Sequence, residues 1–274
     1  MSAPSRPAPT LAWRDGEAWR GAREVAEETP VALVYDASTY AVMMATPADI
    51  EDFAVGFSLT EGVIEDASQI SALEVAESEL GIEARIWLDP AVAARLSARR
   101  RRIVGPTGCG LCGVESLEAA LTPRAAVAEP AFRLSAAQIL AAGASLAEAQ
   151  PLNAATRAVH AAGFMGPDGR LAAVREDVGR HNALDKLVGA LARQGLGGRE
   201  GAVVLTSRVS VEMVQKTAAL GAAYLIAVSA PTALALRAAE AVGITVVGVA
   251  RGDGFEVFTH AGRVVMDAAA KARP

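Results

Sequence analysis

Residues 201–249, GAVVLTSRVSVEMVQKTAALGAAYLIAVSAPTALALRAAEAVGITVVGV, alternate short apolar runs with longer segments of helical periodicity. The apolar runs are typical of buried strands, at 201–206, 223–228 and 244–249. The segments between them are typical of helices, at 210–220 and 232–242, and the pattern begins upstream with a strand at 171–176 and a helix at 180–193. Strands joined through helices favour right-handed crossovers and a largely parallel sheet covered by helices. We therefore predict an α/β sandwich in the C-terminal part, with an edge strand at 254–259.

The N-terminal half has a different pattern of secondary structure. Its sequence predicts four strands, at 31–35, 40–45, 70–77 and 82–88. It also predicts a helix that is capped by Thr46 and runs to Gly62, and a helix at 90–102. A further helix is predicted from Ser135, which forms a capping box with Gln138, to about Gln150. We divide the chain into a flexible leader (1–25), a small α+β subdomain that ends in a cysteine loop and the following helix (26–128), and a larger C-terminal α/β domain (129–274).

Composition limits the classes of function. The 274 residues are 52% hydrophobic and carry a net charge of -5, which is typical of a globular protein and argues against general nucleic-acid binding. The block Arg99–Arg102 is the local exception, and it fits either an anion contact or the solvated end of a helix. Residues 1–10 have no apolar run, so we expect neither a signal peptide nor a membrane anchor, and a cytoplasmic protein.

The chain contains two cysteines, Cys109 and Cys112, in the glycine-flanked sequence GCGLCG at 108–113. Two thiols at this spacing can bind a metal, cycle between dithiol and disulfide, or carry sulfur as a persulfide. In the cytoplasm, such a pair is more often catalytic or metal-binding than a structural disulfide. A helix is predicted at 114–121, and a thiolate near a helix N-terminus and near arginines is stabilised as the anion.

Polar residues follow three of the predicted strands, where an α/β sheet binds ligands. The candidate binding residues in these turns are Arg175, Asp177, Arg180, His181 and Asn182; Ser207, Arg208 and Ser210; and Val249, Ala250, Arg251, Gly252, Asp253 and Gly254. Helix capping, surface ion pairs and a plain hairpin turn are the alternatives for these three groups. His160 lies among small apolar residues, where it is either a buried structural histidine or a ligand contact.

Three segments together resemble the FdhD family, the accessory proteins of formate dehydrogenase that carry sulfur to the molybdenum cofactor. They are CGLCG at 109–113, REDVGRHNALDKLVG at 175–189 and VSVEMVQK at 209–216. They occur in the same order along the chain as in the family. The sequence departs from the family where Arg157 and Ala158 replace a glycine pair before the histidine, and where Ser207 replaces a glycine.

The resemblance implies a sulfurtransferase that takes sulfane sulfur from a cysteine desulfurase as a persulfide on Cys109, with Cys112 assisting. It implies transfer of that sulfur to bis-molybdopterin guanine dinucleotide, which the candidate residues above would bind and which guanine nucleotides would mimic. It also implies a homodimer, formate dehydrogenase apoprotein as a partner, no metal site, and a C-terminal domain similar to the cytidine deaminase fold. Deaminase chemistry is not implied, because Ala162 stands where the catalytic glutamate would be.

Three other hypotheses remain open from the residues alone. Cys109 and Cys112 could bind zinc with two of the three histidines. The protein could be an adaptor for a dehydrogenase subunit, with incidental cysteines. A dithiol oxidoreductase is disfavoured because no aromatic residue precedes the CxxC at the start of a helix.

Overall fold

The structure is a computed structural model that describes residues 2–103 and 125–266. Cys109, Cys112 and the helix predicted at 114–121 lie outside the described residues, and so do the side chains of Arg99–Arg102. The predictions made for them stay predictions.

Residues 5–26 form an antiparallel hairpin of β1 (Ser5–Arg14) and β2 (Glu17–Ala26). The prediction of a flexible leader is therefore wrong for these residues. The turn between the strands is Asp15-Gly16, with φ of 52° and 89°, which matches the two-residue hairpin turn whose twist suits its flanking strands. This Asp-Gly pair was the available signal, but the flanking strands carry too little apolar alternation to be recognised.

The N-terminal unit is a four-stranded sheet with two helices, as predicted. Its strands are β3 (Thr29–Tyr35), β4 (Ser38–Ala45), β5 (Ile70–Ser78) and β6 (Gly81–Leu88), in the order β4-β3-β6-β5. The helices are α1 (Ile50–Thr60) and α2 (Pro90–Ile103), with a 3-10 turn at Ala67–Gln69. Leu33, Phe53 and Ile86 lie in the core between the sheet and the helices.

Thr46 does not cap α1, contrary to the sequence prediction. The helix begins at Ile50, and the residue before it, Asp49, has a left-handed conformation and no side-chain capping hydrogen bond. Thr46 instead hydrogen-bonds to residues 177 and 178 of the C-terminal unit. Local capping preference was overridden by these long-range contacts.

The C-terminal unit is a six-stranded sheet with helices on both faces, which confirms the predicted α/β sandwich. Its strands are β8 (His160–Met165), β9 (Leu171–Asp177), β10 (Ala202–Leu205), β11 (Tyr224–Ala227), β12 (Thr245–Arg251) and β13 (Gly254–Val257). One face packs on α5 (Arg180–Arg193), α6 (Val211–Leu220) and α7 (Ala233–Val242) through residues such as Leu184, Met213 and Ala235. The other face packs on α3 (Ala136–Glu148) through Ile139 and Leu146.

The sheet order, β13-β12-β11-β10-β8-β9, corrects the prediction of a largely parallel sheet. Within this sheet, only β10, β11 and β12 pair in parallel. At one end, β8 lies between β9 and β10 and runs antiparallel to both, and at the other end β13 runs antiparallel to β12. Strand β8 is absent from the sequence prediction, because its small residues carry a weak strand signal. The expected likeness to the cytidine deaminase fold stays a prediction.

Smaller elements complete the unit. The capping box of Ser135 and Gln138 is present at the start of α3, as predicted. The short helix α4 (Pro151–Thr156) follows, and β7 (Leu134–Ser135) pairs with β14 (Val264–Val265). Two further 3-10 turns lie at Gly198–Glu200 and Ala261–Arg263. None of the helices in the described ranges is long and apolar enough to cross a membrane.

Candidate functional site

The predicted polar turns lie along one edge of the six-stranded sheet. Strands β9, β10, β11 and β12 run in the same direction, so their carboxyl ends share this edge. The amino end of the antiparallel strand β8 lies there too, because His160 is opposite Asp177 in the register. The edge therefore brings together residues 177–181, 206–210 and 249–251 with His160. This is the location where α/β sheets bind their ligands.

Arg180 and His181 begin α5, whose N-cap residue Gly179 has no capping side chain. Arg180 is half-buried and makes no ion pair with any residue of 2–103 or 125–266. The Nε2 atom of His181 is buried, lies 3.9 Å from a Glu212 carboxylate oxygen and has no hydrogen-bond partner in the described part of the chain. The start of this helix therefore offers, among the described residues, a guanidinium without an ion pair and an imidazole nitrogen without a hydrogen-bond partner.

The surroundings of both histidines at this edge lower their pKa and so favour the neutral form. Burial lowers the pKa of His181, and the positive charges of Arg180 and Lys216 lower it further. Burial also lowers the pKa of His160, again with a contribution from Arg180. Arg180 therefore supplies the permanent charge, while the two imidazoles are hydrogen-bonding groups near neutral pH.

The second turn precedes α6. Ser207 is buried and donates a hydrogen bond to the carbonyl of Arg208 at 3.1 Å, whereas the Arg208 side chain is exposed and has no ion pair among the described residues. Ser210 is the N-cap residue of α6 but its side chain makes no capping hydrogen bond. The neighbouring helix α7 differs, because Thr232 caps it through the amide of Ala235. Consequently α5 and α6, but not α7, present helix N-termini without a side-chain cap.

The third turn joins β12 to β13. A bulge interrupts their pairing between Gly248 and Arg251, and Val249 within it has φ of 53°. A β-branched residue in this left-handed conformation is a genuine outlier, and such strain is concentrated at functional sites. Arg251, Gly252, Asp253 and Gly254 are exposed. The hairpin turn that the sequence offered as the alternative for this group is present. It places Arg251 and Asp253 at the same edge of the sheet.

A buried network accounts for Asp177 and Asn182, two of the candidate binding residues. Asp177 is 0% exposed and pairs with the Nζ atom of the equally buried Lys186 at 2.6 Å. Its carboxylate also accepts hydrogen bonds from the amides of Thr46 and Gly179 and from the Asn182 side chain. Asn182 donates to the Met44 carbonyl as well. These polar atoms join the start of α5 to the end of β4.

Lys186 and Thr46 complete this join, and neither was predicted from the sequence to take part in the site. Lys186 donates to the Thr46 carbonyl at 2.9 Å, and the Thr46 hydroxyl accepts from the amide of Val178 at 3.1 Å. Thr46 therefore uses its amide, carbonyl and hydroxyl to fix residues 177–178. We assign this network the role of positioning Arg180 and His181.

Arg175, a third candidate, is engaged by carboxylates of α1. Its guanidinium lies 2.7 Å from the buried carboxylate of Asp52, which also pairs with Arg193 at 2.6 Å. Asp49 lies 3.6 Å from the same guanidinium. Arg175 thus connects β9 to α1, away from the uncapped helix starts.

A second buried pair lies one turn into α5. The Nζ atom of Lys216 is 2.9 Å from the Asp185 carboxylate and 3.0 Å from Glu61, while Thr60 donates to Asp185 at 2.6 Å. Burial raises the pKa of Asp185 above its ordinary range, although Lys216 and Thr60 oppose that shift. Burial works against the charge of Lys216, but Asp185 and Glu61 outweigh it and raise the pKa of Lys216. Lys216 is therefore a fixed cation beneath His181.

The residues described at this edge do not form a metal site by themselves. Within 2–103 and 125–266, no three His, Cys, Asp or Glu side chains are grouped in a way that could hold a metal ion. The two cysteines lie outside these ranges, so the zinc hypothesis in which they provide ligands stays a prediction.

Comparison with known proteins identifies the family. The model of the FdhD/NarQ family matches residues 26–265. The chain belongs to the FdhD/NarQ family. The sulfur carrier protein FdhD of Agrobacterium fabrum is 53% identical over 255 residues, which are 93% of this chain and 94% of that protein. The sulfur carrier protein FdhD of Brucella abortus is 52% identical over 261 residues, or 95% and 97% of the two chains.

A solved structure agrees with the assignment to the FdhD/NarQ family. The crystal structure of a protein from Desulfotalea psychrophila, assigned as a formate dehydrogenase accessory protein, superposes with a TM-score of 0.77. The match has 25% sequence identity and covers 96% of this chain and 100% of that chain. The resemblance carried by residues 109–113, 175–189 and 209–216 is therefore confirmed. Hairpin β1–β2 lies before the region that the FdhD/NarQ model matches, except for its last residue, Ala26.

Proposed function

We propose that this FdhD/NarQ protein is a sulfur carrier that serves the maturation of formate dehydrogenase. The observation that carries the proposal is the cysteine pair GCGLCG at 108–113 in a chain half identical to proteins named sulfur carriers. The similar fold of the formate dehydrogenase accessory protein from Desulfotalea psychrophila supports the dehydrogenase as the beneficiary. The individual steps of sulfur transfer follow from the chemistry of the residues.

The sulfur-transfer step is assigned to Cys109, with Cys112 assisting. The thiolate of Cys109 attacks the terminal sulfur of a persulfide on a cysteine desulfurase. A new S–S bond forms at Cys109 while the S–S bond of the donor breaks, and the donor cysteine leaves as a thiolate. No external oxidant or reductant is needed, because the sulfane sulfur keeps its oxidation level throughout the exchange. The product is a persulfide on Cys109 that can be passed to an acceptor.

The acceptor is proposed to be bis-molybdopterin guanine dinucleotide, bound as substrate at the edge of the six-stranded sheet. This dinucleotide carries several phosphate groups, and the edge supplies matching groups. Arg180 and Arg208 have no ion-pair partner within the described ranges, and both lie at helix starts without a side-chain cap. Guanidinium groups and free helix amides are the groups that bind phosphate in proteins.

The remaining candidate residues have different roles in this proposal. His160, His181, Ser207 and Ser210 provide hydrogen-bonding groups around the two arginines, and the 249–254 turn extends the same edge. Asp177, Asn182 and Arg175 act indirectly, because their polar atoms are occupied by contacts with Thr46, Lys186 and Asp52. Guanine nucleotides should bind this edge as mimics of the dinucleotide ends.

The partners follow from the chemistry. A cysteine desulfurase supplies the sulfur, formate dehydrogenase apoprotein receives the sulfurated cofactor, and the predicted cytoplasmic location and homodimer belong to the same proposal. Neither nucleic acid nor a membrane is required as a partner.

Complementation distinguishes the carrier from an adaptor. A strain that lacks its FdhD/NarQ protein should regain formate dehydrogenase activity with the wild-type chain and not with Cys109→Ala, at matched protein levels. An Arg237→Ala variant, changed on the exposed surface of α7, is the control. Full activity with both Cys109→Ala and Cys112→Ala would favour the adaptor and reject the carrier.

A further inference from the structure

A short segment, residues 157–159, joins α4 to β8 at the edge of the six-stranded sheet that carries the polar turns. Strand β8 lies between β9 and β10 in this sheet. The segment therefore enters the sheet between the turn after β9, which carries Arg180, and the turn after β10, which carries Arg208. Arg157 is the only charged residue of the segment, so it lies at the same edge as these two arginines.

The backbone of Arg157 has a left-handed conformation, with φ of 58° and ψ of 29°. Arg157 ends α4, and the residue that adopts this conformation at a helix end is usually glycine, because glycine has no Cβ atom. A residue with a side chain is strained there, and such strain is concentrated at functional sites. An arginine at this position therefore favours a role for its guanidinium group.

Hydrogen bonds from α4 and from two other elements fix Arg157 at this position. Its amide donates to the Asn153 carbonyl at 2.8 Å, and the preceding residue, Thr156, is buried. At the start of α4, the Glu176 carboxylate of β9 accepts hydrogen bonds from two amides of the first turn, at 2.8 and 2.9 Å. At its end, Arg23 of hairpin β1–β2 donates to the Thr156 carbonyl at 3.3 Å. Strand β9 and the hairpin thus hold Arg157 at the edge through α4.

The charge of Arg157 has no carboxylate partner. Its side chain is exposed and forms no ion pair with residues 2–103 or 125–266, as is also the case for Arg180 and Arg208. The charge of Arg180 contributes to the lowered pKa of His160, three residues after Arg157, so this charge lies close to the segment. Like charges at one edge repel one another, and an anion bound among them offsets that repulsion.

We propose that Arg157 is a third phosphate-binding arginine of this edge, held between the turns of Arg180 and Arg208 by α4 and the N-terminal hairpin. The inference rests on the proposed binding of a guanine nucleotide at the same edge, and it adds a residue that determines the affinity. A guanidinium forms two parallel hydrogen bonds with a phosphate group, which makes arginine suited to this contact. The contact with phosphate offsets the backbone strain at Arg157.

Arg157→Gly separates the contribution to binding from the contribution to folding. In isothermal titration calorimetry on the full chain, it should weaken binding of GDP by about tenfold, the effect of one lost charge-assisted hydrogen bond. Inorganic pyrophosphate should show the same loss, because the contact is with phosphate and not with the base. The unfolding temperature of the variant, followed by circular dichroism, should be no lower than that of the wild type, since glycine adopts the left-handed conformation without strain.

Arg170→Ala is the matched control. This exposed arginine lies in the turn between β8 and β9 at the opposite edge of the sheet, so its removal should leave the affinity for GDP unchanged. Wild-type affinity in Arg157→Gly, together with weaker binding by Arg180→Ala, would overturn the role of Arg157 and leave the phosphate site in place. A wild-type chain that binds neither GDP nor pyrophosphate at millimolar concentration would instead reject the phosphate site, and the role of Arg157 with it.

Discussion

Gly56 of α1 and Gly189 of α5 lie backbone to backbone where the two helices cross. A Cβ atom on Gly56 would collide with the carbonyl of Asp185 and stand 2.7 Å from the amide nitrogen of Gly189. A Cβ atom on Gly189 would collide with the carbonyl of Asp52 and stand 2.8 Å from the amide nitrogen of Gly56. The crossing therefore requires glycine on both helices. It holds the N-terminal unit against the helix that carries Arg180 and His181.

Gly189→Ala should lower the free energy of unfolding by about 3 kcal/mol, because the backbones must separate to admit a methyl group. The measurement is urea denaturation followed by circular dichroism. Gly197→Ala is the matched control, since a Cβ atom there meets nothing within 4 Å and the residue has an ordinary φ of -98°. Equal stability of the two variants would contradict the close crossing.

Lys186→Met should cost roughly 3–5 kcal/mol, because it leaves the carboxylate of Asp177 buried without its cation. The matched control is Arg85→Ala, which removes an exposed pair with Glu83 and should cost less than about 1 kcal/mol. Both are measured by chemical denaturation. A small cost for Lys186→Met would show that the pair does not hold β4 to α5.

The α/β alternation is predictable from the sequence because long amphipathic helices and short apolar strands have distinct periods. Helix α5 was predicted at its observed bounds, 180–193. Strand β8 was not predicted because AAG within His160–Met165 carries little propensity, and its insertion between β9 and β10 is a long-range choice. The same limitation led to the wrong expectation of a mainly parallel sheet.

At the candidate site, residue type identified the turns but not the partners. Asp177 and Arg175 look like ligand groups in sequence, yet their partners Thr46 and Asp52 are more than a hundred residues away. Lys186 and Lys216 were visible in the quoted segments, but their burial depends on the packing of α1 against α5. A lysine that faces the core of a predicted amphipathic helix was the available signal.

Arg180→Ala and Arg208→Ala should each weaken binding of GDP by about tenfold, the effect expected for one lost charge-assisted hydrogen bond. Isothermal titration calorimetry provides the measurement. Arg237→Ala should bind like the wild type, because this exposed arginine of α7 lies on a helix whose start is capped. Unchanged affinity in both Arg180→Ala and Arg208→Ala would remove the phosphate site.

Stability should fall as the pH drops below about 6.5, the ordinary pKa of histidine. Burial lowers the pKa of His160 and His181 in the folded chain, so the unfolded chain binds protons first, near pH 6.5. The stabilisation that the two neutral histidines contribute is complete above about pH 6.5, and it is lost as the pH falls through their pKa in the folded chain. Urea denaturation at several pH values should show a shallower fall for His160→Gln with His181→Gln. An identical dependence of stability on pH in this variant and the wild type would contradict the lowered pKa of the two histidines.

Sulfur carriage itself is tested most directly by the intact mass of the protein after incubation with a cysteine desulfurase and cysteine. Wild type, Cys109→Ala and Cys112→Ala are compared, each with and without a reductant. We expect a species one sulfur atom heavier that disappears on reduction and is absent from Cys109→Ala. A failure of every form to gain sulfur would contradict sulfur carriage and leave the zinc-binding or adaptor function as the explanation of the cysteine pair.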